Sequence, residues 1–221
     1  SANGGYVAGL FAKSLKPKLT DHNSIEVRLL APPPLEQTLE LFEVEQQDGG
    51  PGFILRHGAT DLAVASLVPA LSAPPVALTI QQSQSAMAHF DDSDHPFPSC
   101  FVCGPGRDPS DALCIYPGGL DAEHSGDKPM VASTWLVDVD YCDENGILNT
   151  EILCAALDCP SSFGILELPG NKEMEPMVLA SFTFMLKASL KAGERAIVIG
   201  WPESRKGRKA FGGSAIYNSE G

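Results

Sequence analysis

Apolar residues recur at helical spacing in two segments of the chain. In residues 4–16 small residues separate them, and Pro17 ends the pattern. The apolar positions are Val7, Leu10, Phe11 and Leu15. Residues 150–166 are rich in Ile, Leu, Cys and Ala, with Asn149 or Thr150 placed to cap a helix. The pattern therefore predicts two helices, and Pro160 is expected to end or kink the second.

Strand-like runs accompany each helical segment. After the first helix they cover residues 25–30, 39–44, 53–56 and 62–68. Around the second helix they cover residues 113–116, 131–137, 178–187, 196–201 and 209–217. The order of helix, long strand, turn and further strands thus occurs twice, which predicts an α+β protein made of two similar units. A generic α+β domain is the alternative.

Residues 71–98 separate the two patterns and are rich in Ala, Ser, Gln, Pro and Asp. Such a composition is typical of a linker that runs over a surface. We therefore expect a first unit at 1–70, a linker at 71–104 and a second unit at 105–221.

Composition narrows the functional classes. The chain has 221 residues, 43% hydrophobic and 19% charged, which favours a folded protein over a disordered one. A net charge of −13 argues against a nucleic-acid partner, because phosphate contacts need a basic face. No apolar run reaches the roughly 18 residues of a membrane helix, and no signal peptide is visible. Six cysteines are too few for a disulfide scaffold, so we expect a cytoplasmic setting.

Three short motifs resemble the hotdog thioesterase superfamily, in particular double-hotdog acyl-CoA thioesterase-like proteins. Residues 3–6, Asn-Gly-Gly-Tyr, are similar to the start of the first helix in that group. Residues 100–105, Cys-Phe-Val-Cys-Gly-Pro, resemble a lead-in found ahead of many hotdog domains. Glu151 followed by residues 155–160, Ala-Ala-Leu-Asp-Cys-Pro, resembles the second helix in a poorly characterised branch.

The resemblance implies a tandem double hotdog, in which antiparallel sheets wrap two long helices. It leaves open whether the outermost strands are missing from this chain. Single-domain relatives begin the helix with His-Gly-Gly and place an acid about seven residues later. Here Asn149, Thr150 and Glu151 take that place and Asp158 follows, whereas the matching position after Gly5 is Ala12. The two units are therefore expected to be asymmetric, with the chemistry in the second.

Asp158 is the leading catalytic candidate because it lies in an apolar stretch, where a carboxylate is costly to bury unless it is bonded or working. It could act as a general base on water or as a nucleophile toward a thioester carbonyl. The alternative is a structural carboxylate that bonds backbone amides.

The helix starts supply the remaining candidates. Backbone amides at Gly4 and Gly5, at the start of a helix, could hold an oxyanion or the substrate, and Asn3 belongs to the same motif. Thr150 and Asn149 occupy the matching place in the second unit. Close packing of helix on sheet is the competing explanation for both glycines.

The spacing of Cys100 and Cys103 invites a zinc hypothesis, with Cys114 and either His95 or His124 completing four ligands. No second clean pair accompanies them, and a redox dithiol would follow a strand at a helix start. Idle thiols are therefore the expectation, with no metal and no cofactor.

A basic patch stands out on this acidic chain: Arg205, Lys206, Arg208 and Lys209. Such a patch could hold the phosphates of coenzyme A, or it could be a solvated hairpin. The sequence thus favours hydrolysis of an acyl-CoA or related thioester, and the alternative is a catalytically silent acyl- or CoA-binding module. No membrane partner is expected, and a homo-oligomer is left open.

Overall fold

A computed structural model describes residues 2–46, 49–75, 77–121, 129–168, 176–218 and 220. The helices are α1 (Gly4–Leu15), α2 (Ile80–Met87) and α3 (Thr150–Leu166). The strands are β1 (Asn23–Leu29), β2 (Glu40–Glu45), β3 (Pro51–His57), β4 (Thr60–Pro69), β5 (Gly118–Gly119), β6 (Val131–Leu136), β7 (Ser181–Phe184), β8 (Arg195–Lys206) and β9 (Lys209–Tyr217). All pairings between these strands are antiparallel, so the predicted α+β class with antiparallel sheets is confirmed.

The chain forms two compact units that do not follow sequence order. Unit 1 comprises Ser1–Ala73, Thr150–Ala155 and Val178–Ser189. Unit 2 comprises Pro74–Asn149, Ala156–Met177 and Leu190–Gly221. The first turns of α3 therefore belong to unit 1 and the rest of that helix to unit 2. The division expected at residues 70 and 105 stays a prediction.

Unit 1 is a five-stranded sheet in the order β2-β3-β4-β1-β7 with α1 packed against it. Side chains alternate along its strands, so Phe53 and Leu55 of β3 are buried while Ile54 between them is half-buried. On α1 the helical period buries Val7, Phe11 and Leu15. These two periodicities together form the core of the unit.

Helix α1 approaches the first turn of α3 closely at Gly9. A Cβ atom at Gly9 would lie 2.4 Å from the Cα of Glu151, so only glycine fits. Lys13 Nζ lies 3.2 Å from Glu151 Oε1 one turn further on. Unit 1 thus joins two sequence-distant helical segments through one glycine and one ion pair.

Unit 2 is a four-stranded sheet in the order β5-β6-β8-β9. Ile197, Ile199 and Trp201 of β8 pack with Ala86 of α2. Gly200 instead adjoins the carbonyl of Pro160 in α3. Because neighbouring side chains point to opposite faces, α2 and α3 cover the two faces of this sheet. That explains why β8 is buried without interruption from Ala196 to Pro202.

Several sequence predictions need correction. Pro160 does not end the second helix, because α3 continues through it to Leu166. Residues 113–116 form no strand, since Leu113 and Ile115 donate their amides to the loop carbonyls of Phe101 and Val102.

The segment interpreted as a linker contains a helix. Thr79 caps α2, and its hydroxyl accepts from the amide of Gln82 while the Gln82 side chain accepts from the Thr79 amide. This capping box was present in the sequence and outweighs the polar composition of the segment.

The strand expected at residues 178–187 is shorter and pairs with the first sheet. In β7, Phe182 and Phe184 lie opposite Val27 and Ile25 of β1. Both phenylalanines are buried, so the pairing adds apolar surface to the core of unit 1.

The contact between β8 and α3 makes a stability prediction. In Gly200→Ala the new Cβ would lie 1.9 Å from the Pro160 carbonyl oxygen, so helix or strand must shift. We expect a loss of about 2 kcal/mol in unfolding free energy, measured by chemical denaturation. Gly119→Ala is the matched control, because its Cβ meets no atom closer than 3.5 Å, and a change within about 0.5 kcal/mol is expected. Equal stability of the two variants would contradict this packing.

Candidate functional site

Asp158 lies on α3 and is 8% exposed. Hydrogen bonds to Cys100 and burial raise the pKa of both Cys103 and Cys159, and the charge of Asp158 is a smaller cause in the same direction. Asp158 precedes Cys159 on α3 and lies within unit 2. It is a buried acid among apolar and thiol groups, as the sequence predicted, but its thiol neighbours were not foreseen.

The sheet of unit 2 contacts α3 on both sides of Asp158 in sequence. Ser214 Oγ of β9 donates to the carbonyl of Leu157 at 2.7 Å. A Cβ at Gly212 would lie 2.4 Å from the Ser161 carbonyl, and one at Gly164 would lie 2.5 Å from the Trp201 amide nitrogen. The small residues at these contacts let strand and helix backbones approach, so the stretch of α3 that carries Asp158 is held against the sheet.

At the start of α1, side chains of the protein itself already contact part of the helix end. Asn3 is the N-cap, and its Oδ1 accepts from the Tyr6 amide at 2.9 Å. A Cβ at Gly4 would meet Leu179 and Leu29 at 3.0 Å, which supports close packing as the reason for that glycine. Gly5 is buried, and its proposed part in oxyanion binding stays a prediction.

The start of α3 is arranged differently. Asn149 is the N-cap but makes no side-chain cap bond. Its amide and its Nδ2 both donate to the carbonyl of Tyr141, at 3.0 and 2.9 Å. These bonds favour a structural role for Asn149, whereas Thr150, the first helical residue, stays a candidate oxyanion donor.

Three thiols meet beside Asp158. The Sγ atoms of Cys100, Cys103 and Cys159 all lie within 4.8 Å of one another, and Cys100 and Cys159 are 3.6 Å apart. Hydrogen bonds from Cys103 and Cys159 hold the pKa of Cys100 far below its ordinary value. All six cysteines are free thiols.

Cys114 is not part of this cluster, and the other candidate ligand, His124, lies outside the described residues. Sequence reasoning considered the 100–103 pair and overlooked Cys159. The signal was weak, because one cysteine after Asp158 in an apolar helix resembles any buried thiol. Only the fold brings residues separated by 56 positions together.

His95 lies in an aromatic cluster with Phe90 and Phe163, at ring-centroid distances of 6.2 and 5.8 Å. Burial lowers its pKa. The Nδ1 atom accepts from the Phe97 amide at 3.1 Å, so the neutral ring carries its proton on Nε2. Nε2 is buried and has no hydrogen-bond partner among the described residues.

The basic patch forms the exposed tip of the β8–β9 hairpin. Lys206 pairs with Lys209 and Arg205 with Ala210, and the turn passes through Gly207 at φ 59°. Arg208 follows that glycine, so all four predicted cations share one end of the hairpin. They are far from the helix contacts of β8, and any joint role with Asp158 stays a prediction.

A groove of 380 Å³ lies beside α2 in unit 2, lined in part by Thr79, Gln82 and Asp121. None of the predicted site residues that the structure describes lines it. In the part of the chain that the structure describes, no helix has the length and apolar character needed to cross a membrane.

Solved structures share this fold over nearly the whole chain. The tesB protein of Mycobacterium avium subs paratuberculosis superposes with a TM-score of 0.60 at 11% identity, covering 100% of this chain and 82% of its own. An acyl-CoA thioesterase II, TesB2, from Mycobacterium marinum gives 0.59 at 12% identity, covering 99% and 83%. The chain has the fold of TesB proteins. At these identities the likeness concerns architecture, and it confirms the resemblance drawn from the motifs.

No protein-family model matches the sequence, and no curated protein matches it either.

A substitution of Asn149 tests whether this residue has a structural or a catalytic role. Asn149→Ala removes the Nδ2 bond to Tyr141, so we expect about 1 kcal/mol less unfolding free energy. Asn145→Ala, in the exposed turn nearby, is the control and should change stability by less than about 0.5 kcal/mol. Unchanged stability in Asn149→Ala, measured by denaturant titration, would count against the structural role.

Proposed function

We propose that this chain is a tandem double-hotdog protein that hydrolyses an acyl-CoA or a related acyl thioester. The observation that carries the proposal is the buried Asp158 on α3, at the point where the unit 2 sheet wraps the helix. The fold shared with TesB proteins supports the substrate class, because one of them is described as an acyl-CoA thioesterase.

The double-hotdog arrangement is supported by the repeat of one pattern. In unit 1, α1 packs on an antiparallel sheet, and in unit 2 the longer part of α3 does the same. On each helix a glycine lies against the sheet of its unit, Gly4 of α1 against Leu29 of β1 and Gly164 of α3 against Trp201 of β8. Small residues at such positions let a sheet close around a helix, as a hotdog requires.

In the proposed reaction the Asp158 carboxylate accepts a proton from water while the water oxygen attacks the thioester carbonyl carbon. The carbonyl π electrons move to oxygen, and backbone amide N–H groups hold that oxyanion. When the tetrahedral intermediate collapses, the C–S bond breaks and the leaving thiolate takes the proton from Asp158. The products are a carboxylic acid and a free thiol.

Substrate binding is proposed to use the hairpin tip. Coenzyme A carries several phosphate charges, which the net charge of −13 of this chain would repel. Four clustered cations provide a locally positive surface that could attract them. Arg205, Lys206, Arg208 and Lys209 are exposed and can reach a ligand without desolvation of an interior.

A silent acyl- or CoA-binding module is the second candidate. The asparagine side chains at both helix starts favour it, because they are already used within the chain. Asn3 Oδ1 accepts from the Tyr6 amide, and Asn149 Nδ2 donates to the Tyr141 carbonyl. Such a module would bind an acyl-CoA without turnover.

Replacing Asp158 tests the chemistry. We expect Asp158→Asn to lower kcat on acyl-CoA substrates by roughly 100-fold or more, because it removes the general base while size and polarity are kept. Affinity for a non-hydrolysable acyl-CoA thioether should stay within about threefold, and Tm reports whether the fold is intact. Asp140→Asn, an exposed acid in the same unit, is the matched control with unchanged kcat.

Two results separate the hypotheses. Thioester turnover that survives Asp158→Asn would exclude Asp158 as the base. Acyl-CoA binding without any turnover in the unchanged protein would favour the binding module.

The hairpin is tested by replacing all four cations with Gln. We expect KM for an acyl-CoA to rise about tenfold, which corresponds to about 1.4 kcal/mol, and the rise should vanish at high salt. The N-acetylcysteamine thioester of the same acyl group lacks the nucleotide phosphates, so its KM should not change. Lys16→Gln with Lys191→Gln removes exposed cations elsewhere and is the control. An equal effect on both substrates would contradict a phosphate-binding role.

A further inference from the structure

The thiol cluster of unit 2 is the strongest unexplained group of side chains in the part of the chain that the structure describes. It consists of Cys100, Cys103 and Cys159, and it is the only set of three or more metal-ligating side chains that converges among those residues. Cys103 is 3% exposed, and the other two are half-buried. Packing alone does not explain why three polarisable sulfurs converge at one position in the interior.

The loop that carries two of these cysteines is shaped around sulfur. The amide of Val102 donates to Cys100 Sγ at 3.4 Å. The Gly104 amide closes the turn on the Cys100 carbonyl at 3.0 Å. A Cβ at position 104 would lie 2.4 Å from the Cys100 nitrogen, so the tight turn requires glycine. Amide donors directed at a sulfur stabilise a thiolate rather than a neutral thiol.

The distances suit ligands around one ion. In a tetrahedral zinc site with Zn–S bonds of about 2.3 Å, two sulfurs are separated by about 3.8 Å. Cys100 and Cys159 are 3.6 Å apart. A disulfide would bring the sulfurs to about 2.05 Å, so the observed separation fits a shared metal better than a bond between them.

We propose that Cys100, Cys103 and Cys159 bind one soft divalent metal ion of the zinc class. Thiolate ligands select such ions, and a Cys-x-x-Cys turn with a third thiolate from a distant helix gives three of the four positions of a tetrahedron. This inference replaces the expectation of a metal-free chain, which rested on the missing second pair. It is independent of the proposed thioesterase activity.

The fourth position falls to a water molecule. No carboxylate or imidazole in the described part of the chain joins the three sulfurs within 4.8 Å, and Asp158, which precedes Cys159 on α3, is not in the cluster. His95 is less suited as a ligand, because Nδ1 already accepts from Phe97 and the proton therefore sits on Nε2.

The ion would tie the loop at residues 97–104 to α3. Without it, the loop is anchored by backbone bonds such as those from Leu113 to Phe101 and from Ile115 to Val102. A metal bound only in the folded state stabilises it by mass action, so the site would serve chiefly as a staple of unit 2.

Metal content tests the proposal on the full chain. The protein is produced with zinc in the medium, purified under reducing conditions without chelators, and analysed by inductively coupled plasma mass spectrometry. We expect one zinc per chain, and at least a tenfold lower content in Cys100→Ser, Cys103→Ser and Cys159→Ser. Cys114→Ser and Cys142→Ser remove thiols outside the cluster and should retain the metal.

A second measurement keeps the test valid if the serine variants fold poorly. The unchanged protein is stripped with a chelator and titrated with Co²⁺, which should give a thiolate-to-cobalt charge-transfer band and tetrahedral d–d bands saturating at one equivalent. Binding should protect three thiols from alkylation and raise Tm. Asp158→Asn should bind Co²⁺ as the unchanged protein does, because the three sulfurs and not this carboxylate hold the ion.

Three results would overturn the inference. They are a reduced protein that takes up neither Zn²⁺ nor Co²⁺, a disulfide among the three cysteines in zinc-supplied protein purified without reductant, and metal content that persists in all three serine variants. Thioester hydrolysis is measured separately on the same samples, so loss of activity with metal retained points to Asp158 chemistry and not to the metal site.

Discussion

The close approach of α3 to the strands β8 and β9 is the constraint on which unit 2 depends. Gly200 lies against Pro160, and Gly212 lies against Ser161, at distances where any Cβ would overlap backbone atoms. Because backbone meets backbone there, the helix cannot slide or rotate without losing several contacts at once. Asp158 and Cys159 lie in sequence between Pro160 and Leu157, whose carbonyl accepts from Ser214 Oγ of β9, so their positions are fixed by packing that involves neither side chain.

This geometry also explains the composition of β8. A strand of an antiparallel sheet commonly has one solvated face, yet residues 196–202 are buried throughout. Helix α2 covers the face of Ile197, Ile199 and Trp201, and α3 covers the opposite face at Gly200. The uninterrupted apolar run therefore results from a helix on each face of the sheet, α3 on one face and α2 on the other.

Periodicity predicted α1, α3 and most strands closely, because the contacts that decide them are local. The α1 boundary follows from Asn3 as cap, and β9 matches residues 209–217 as expected. The missed helix α2 had a local signal of its own, the capping box at Thr79. Other failures depended on distant partners. The β7 strand joined β1 because Phe182 and Phe184 complete a core formed by residues far earlier in the chain. Pro160 remained in a helix because tertiary packing outweighs the intrinsic cost of proline.

The residues of the candidate site also differ in whether the sequence alone could identify them. Asp158 could be identified from sequence, since a carboxylate in an apolar helix is anomalous by itself. Cys159 could not, since a buried thiol is ordinary until two others are brought within 4.8 Å of it. The two residues are consecutive on α3 and therefore diverge by about 100° around the helix axis. One helical turn can in this way present a carboxylate for chemistry and a sulfur for metal binding. If both assignments hold, the ion fixes the rotation of α3 at the position where the general base must be aimed.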